Sequence, residues 1–250
     1  ADRIEEIPRS QERLDRNGPR KVLIFGGSFD PPHRGHVELP FEAARRLDCD
    51  EVVFVPARVN PLKQDNPPCP GEDRIAMLEA ALRDREDRGT EPRIKATISR
   101  IEIDREGPSY MIDTLRELHR TLAETRTDPE EGPPVRPRLR LLIGSDQALQ
   151  FDRWKDWRSI LELAPPAVLP RPPMNRTSLA ALYRDRFPSS LAGRWATWTI
   201  DLPTTEASST TARDRILTGE SNEAILPGPV IDVIRERGLY RPDHSESSDP

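Results

Sequence analysis

The chain has 250 residues, enough to bury a substantial core as one domain, and its 38 Lys and Arg against 43 Asp and Glu leave a net charge of −5, without the basic excess of a dedicated nucleic-acid binder. Its two cysteines, Cys49 and Cys69, exclude a disulfide framework and a four-cysteine zinc site and point to a reducing, cytoplasmic compartment. No stretch approaches eighteen apolar residues, so no membrane-spanning helix and no membrane partner are expected.

In chain order, residues 1–19 alternate charge with Pro and Asn and read as a flexible arm. The apolar run 22–25 (VLIF) predicts a first strand, and the glycine-rich stretch 26–36 a tight turn leading into a helix over 37–47, with Val37, Phe41 and Ala44 on one face. A strand follows at 52–55, a helix at 73–83, a strand at 95–103, and a helix at 110–122 striped by Ile112, Leu115, Leu118 and Leu122. Residues 125–137 form an acidic, proline-rich insert loop, three further strands are expected at 139–143, 167–169 and 197–202, and 243–250 is a disordered tail. No internal repeat is present, so 20–242 reads as a single domain. Strands alternating with helices predict an α/β fold: a doubly wound, mostly parallel sheet with helices on both faces. Ligands of such sheets lie beyond the carboxyl ends of the strands at the switch point, which is where the 26–36 turn leaves the first strand.

That turn, GGSFDPPHRGH, carries the chemistry. A helix start offers unpaired N–H donors and a positive dipole end, and glycines let backbone approach an anion, so the segment suits a polyphosphate. No G-x-G-x-x-G follows the strand and no G-x-x-x-x-G-K-S/T occurs, which removes the dinucleotide fingerprint and the ATPase phosphate loop. His33 and His36, with Gly35 between them, place two imidazoles where a protonated or donor ring can hold ATP phosphate oxygens and stabilise charge gathering on the α-phosphate. A helix-capping His is the plainer reading of either ring alone. A metal site is not expected, since the remaining histidines, His119 and His244, sit in no ligand-spaced cluster.

GGSFDPPHRGH resembles the signature of the nucleotidyltransferase superfamily with an HxGH or TxGH motif, and FDPPHRGH is similar to that of the nicotinate mononucleotide adenylyltransferases. The likeness runs from about residue 21 to residue 240 and implies a Rossmann-like fold for a single nucleotidyltransferase domain. It implies catalytic roles for His33, His36 and Arg213. ATP would be held by Gly27, Ser28, Phe29, His33, Gly35 and His36, by Lys63 in the segment VPARVNPLK, by Gly144 and Asp146 of IGSD, and by Ser209, Thr210 and Arg213 of SSTTAR. Ser209 and Thr210 also read as a helix cap whose N–H groups can face phosphate.

The mononucleotide would meet Ser109, Tyr110, Met111 and Asp113 of the segment REGPSYMIDTL, Trp154 as a platform for the pyridine ring, and Arg171. Ser109 and Asp113 read equally as helix-capping residues. Arg74, on the helix after the second motif, reads either as a phosphate contact or as a surface residue. Three positions depart from the family pattern: Leu62 stands where His is usual, Met111 where Thr is, and Pro173 where Gly is.

The implied reaction transfers the adenylyl group of ATP to nicotinate mononucleotide, giving deamido-NAD and pyrophosphate, with Mg²⁺ bound mainly through the ATP phosphates. Nicotinamide mononucleotide or another phosphate acceptor, and a non-catalytic nucleotide-binding module, are the alternatives. The partners implied are ATP and the mononucleotide, with no nucleic acid; homo-oligomerisation stays open.

Overall fold

The computed structural model describes residues 19–58, 68–89, 94–124, 136–203 and 207–241. Lys63 and Leu62, most of the 125–137 insert, the arm and the tail lie outside the described residues.

Five strands form one sheet: β1 (Lys21–Gly27), β2 (Glu51–Pro56), β3 (Lys95–Ile98), β4 (Arg138–Gly144) and β5 (Pro166–Leu169), in the order β3-β2-β1-β4-β5. Every pair is parallel. Side chains alternate across β1, so Val22 and Ile24 enter one core while Leu23 enters the other. This is the expected α/β architecture, and both faces need cover.

On the Val22 and Ile24 face lie α3 (Met111–Glu124), α5 (Trp157–Leu163), α6 (Arg176–Arg186) and α7 (Ser189–Trp198). Trp195 of α7 is fully buried there, edge-on to Phe151 at 5.2 Å and stacked on Phe187 at 5.4 Å. On the other face α1 (Arg34–Arg46) and α2 (Gly71–Asp87) bury Phe41, Ala44 and Leu78 against Leu23, Phe54 and Leu142. A second layer packs behind them: α8 (Ser209–Thr218) and α9 (Gly228–Arg237) cover Val37, Met77 and Ala81 through Ala212, Val230 and Ile234. That layer brings the head of α8 to the head of α1.

Two expected strands are corrected. The run 95–103 is a strand only to Ile98; after Ser99 N–H donates to Phe54 O the chain turns, reaching φ +84° at Gly107. The 197–202 run is not a strand, because α7 continues through Trp198 and Thr199 bonds back to Trp195 O, leaving one bridge between Thr199 and Val168. Predicted helices also gained turns: α1 begins at Arg34, and α2 runs from Gly71 to Asp87.

The strand order reverses direction between β1 and β4. The crevice therefore opens where Gly27 and Gly144 end their strands.

Candidate active site

The loop after β1 turns at Phe29, whose φ of +51° is left-handed. For a residue with a Cβ that backbone costs about 1 kcal/mol or more, offset by burying the whole ring among Phe25, Phe54 and His36. Gly27 makes room for it, since a Cβ there would lie 3.1 Å from the Phe29 ring.

His33 is the N-cap of α1 and His36 its third residue. His36 N–H donates to Nδ1 of His33 at 3.3 Å, and His33 N–H donates to Nδ1 of His36 at 3.4 Å. Because each Nδ1 is an acceptor, a neutral ring carries its proton on Nε2. Burial, with the Arg171 charge as a smaller cause, lowers His33 to about 4. Burial first, then His33 and Arg171, hold His36 well below the ordinary value. Without a bound anion, both rings are thus neutral at neutral pH. The capping reading is therefore seen for both residues, and it uses Nδ1 alone, leaving Nε2 out of the cap.

The head of α8 closes one side. The cap is Ser208, whose Oγ accepts from Thr211 N–H at 3.0 Å; Ser209 is already helical and donates its hydroxyl to Pro31 O at 2.9 Å, a correction to its expected capping role. Arg213 donates to Asp30 O at 2.5 Å and lies 3.5 Å from Thr210 Oγ1. The first turns of α1 and α8 are therefore tied to the same short loop, and the dipole ends of two helices meet there.

At the end of β4, Gly144 precedes the short α4 (Ser145–Ala148). Asp146 Oδ1 lies 3.6 Å from Arg171 Nε, and Arg171 N–H donates to Ser145 Oγ. A Cβ on Gly144 would come within 2.5 Å of that Asp146 oxygen and 2.8 Å of Arg171 Nε, so glycine is what lets the pair lie across the strand end. The effect of Arg171 on both imidazoles puts its charge on the histidine side of the crevice.

At the head of α3, Tyr110 O accepts the first helical N–H groups, from Asp113 and Thr114. Ser109 does not cap: its Oγ is buried and has no hydrogen-bond partner among the described residues. Asp113 pairs with Lys155 at 3.1 Å, and that ammonium sits 4.3 Å over the Tyr110 ring. Met111 reaches back to β1, its methyl 3.0 Å from where a Cβ of Gly26 would be. Trp154 stacks on Phe151 at 4.9 Å and remains partly exposed. Ser109, Tyr110, Met111 and Asp113 thus share one helix head, with Lys155 bringing the neighbourhood of Trp154 to it.

Arg74 takes neither role read from the sequence. It is 1 % exposed and donates to the carbonyls of Cys69, Ser28 and Ala57 at 2.7–2.9 Å, pinning the loops after β1 and β2 to α2. Asp30 was missed altogether, although it stands inside the motif. Its buried carboxylate accepts the Tyr240 hydroxyl at 2.6 Å and Cys69 N–H at 3.3 Å. Among the described residues no group of three or more His, Cys, Asp or Glu side chains is placed to hold a metal ion, and no helix is long and apolar enough to cross a membrane.

The "Cytidylyltransferase-like" family model matches residues 24–215. Two curated relatives, each named "Probable nicotinate-nucleotide adenylyltransferase", are 35 % identical to this chain: that of Salinispora arenicola over 87 % of this chain and 100 % of its own, and that of Moorella thermoacetica over 90 % and 93 %. Among solved structures, the Plasmodium falciparum nicotinic acid mononucleotide adenylyltransferase complexed with NaAD shares the fold at a TM-score of 0.59 and 17 % identity, covering 88 % of this chain and 97 % of that one. With the reciprocal His33 and His36 caps at the head of α1 and a matching length, the chain belongs to the cytidylyltransferase-like family and, within it, to the nicotinate-nucleotide adenylyltransferases.

Proposed function

We propose that the protein transfers the adenylyl group of ATP to nicotinate mononucleotide, releasing pyrophosphate and forming deamido-NAD. One observation carries this reading: two helix starts, α1 with its imidazole donors and α8 with Arg213, are tied to a single loop at the carboxyl end of β1. A polyphosphate between them would meet N–H donors, a guanidinium and two dipole ends.

The nucleophile is a phosphate oxygen of the mononucleotide, ionised at neutral pH, so no general base is required. It attacks the α-phosphorus as the bond to the bridging oxygen breaks and pyrophosphate leaves with the electron pair. His33 and His36 donate from Nε2 to the α-phosphate oxygens as charge builds there. Gly27, Ser28 and Phe29 would meet ATP through the loop backbone, the Phe29 ring being fully buried, and Gly35 through the first turn of α1, while Ser209, Thr210 and Arg213, with Lys63, would receive the departing pyrophosphate. Gly144 and Asp146 would take the adenosine end. Ser109, Tyr110, Met111, Asp113, Trp154 and Arg171 would hold the mononucleotide, and the unpartnered Ser109 hydroxyl is a group ready for a polar ligand atom. The groups around the loop are chiefly donors and cations, and the Asp30 carboxylate is already bonded to Tyr240 and Cys69. They do not make a magnesium cage, and Mg²⁺ enters as part of the substrate, on the ATP phosphates. A cytoplasmic setting belongs to the same reading.

The test is pyrophosphate release from MgATP with nicotinate or nicotinamide mononucleotide as acceptor. Faster turnover of the nicotinate form is expected. Release with neither, or only with the nicotinamide form, would overturn the proposal.

A further inference from the structure

We propose that Tyr240 and Asp30 form a positioning pair that sets the Arg213 guanidinium, beside the histidine loop, for the ATP phosphates. The inference rests on the reading of that loop as an ATP site but not on the identity of the acceptor.

Asp30 is 7 % exposed and contacts Arg213 twice: its carbonyl accepts from Arg213 Nη1 at 2.5 Å, and its carboxylate Oδ2 lies 3.8 Å from the same nitrogen. The other carboxylate oxygen is held from the far side by the Tyr240 hydroxyl and Cys69 N–H. The carboxylate is therefore fixed between an anchor and a cation, and whatever orients Asp30 orients Arg213. Ser209 completes the junction on Pro31 O, two residues before His33.

Tyr240 is built for the reach. Helix α9 ends at Gly238 with φ +62°, Leu239 N–H returns to Ile234 O, and Tyr240 itself takes φ +59°. A non-glycine residue is held in that region only when its surroundings compensate. Here the turn sends the phenol back beside α2, with its oxygen 3.9 Å from Met77 Sδ and 3.4 Å from Cys69 Sγ. An aromatic residue serving only as packing would not need the hydroxyl that meets Asp30.

Tyr240→Phe deletes that hydroxyl alone. Expected is a folded protein whose KM for ATP and Kd for α,β-methylene-ATP rise roughly 3- to 10-fold, the net size of one ordinary hydrogen bond, with the mononucleotide KM unchanged. Asp30→Asn, which keeps the acceptor for Tyr240 but loses the charge facing Arg213, should move the same two constants. In an Arg213→Ala background Tyr240→Phe should change analogue affinity less than about twofold, because the residue it acts through is gone. The pair is overturned if Tyr240→Phe leaves ATP parameters at the unmodified values, if it lowers only thermal stability, or if its effect persists in full without Arg213. Analogue binding by the unmodified protein, with no transfer to either mononucleotide, would remove the proposed acceptors and leave this inference standing; no analogue binding would overturn both.

Discussion

The His33 and His36 rings lie face to face, 3.6 Å apart at 21°, each accepting the other's backbone N–H through Nδ1. The stack fixes both rings and turns their Nε2–H groups into preset donors. Donors that need no reorganisation are worth most where charge develops.

His36→Gln keeps an oxygen able to accept His33 N–H, as in an ordinary capping box, but removes the ring donor. Turnover is expected to fall by roughly 10²-fold, with a melting temperature close to that of the unmodified protein. Steady-state kinetics beside a thermal scan checks both.

The depressed His33 value makes stability depend on acidity. Burial holds the folded residue at about 4 against its ordinary 6.5, so the unfolded chain binds a proton that the folded chain refuses. The contribution is intact above pH 6.5 and is lost as pH falls toward 4; at pH 5 the loss is on the order of 2 kcal/mol. His33→Asn retains an N-cap acceptor without this titration. Urea midpoints at pH 7 and pH 5 should therefore separate less for the variant than for the unmodified protein.

Gly144→Ala would push a methyl into the space shared by Asp146 and Arg171. Both side chains are more than half exposed and can swing away, so stability should change by less than about 1 kcal/mol. The KM for ATP should rise several-fold through Asp146, and the mononucleotide KM should rise with it through Arg171. A variant equal to the unmodified protein in both would detach the Asp146 and Arg171 pair from the nucleotide.

Arg74→Met leaves the carbonyls of Ser28, Ala57 and Cys69 without their donor. Orphaning several buried acceptors is expected to cost roughly 3 kcal/mol or more. Chemical unfolding of the variant should show it, along with loss of ATP binding as the two loops separate.

Trp154→Ala should raise the mononucleotide KM more than the ATP KM if the indole is the platform for the pyridine ring. Trp154→Phe, which can still stack on Phe151, separates that role from packing. Isothermal titration with each ligand distinguishes the two.

The sheet was legible because its central strands carry β-branched or apolar runs that are largely buried, whereas the edge strand β3 is exposed at Lys95 and Ala96, and the period of 110–122 already showed the core face of α3. The 197–202 run misled because the pattern of Trp195, Trp198 and Ile200 does not reveal that Trp195 is a helical residue buried among Phe151, Tyr183 and Phe187. Within the site, the imidazoles, Arg213 and the head of α3 were visible as local motifs. Asp30 with Tyr240, and Arg74 with its three carbonyls, were not, because their partners are distant in sequence or are backbone atoms that carry no sequence signal. Arg171 was visible as a mononucleotide contact implied by the resemblance; its influence on the histidines belongs to the strand order, which brings the ends of β1, β4 and β5 side by side.

The hydrogen bond from Tyr240 to Asp30 spans 210 positions. A ribosome making this protein releases the glycine turn early and the phenol that anchors it 210 peptide bonds later, after every described strand has emerged. During synthesis the nascent chain can therefore assemble its sheet before the anion cradle acquires its last tether, and a newly made molecule acquires its fold ahead of its finished nucleotide grip.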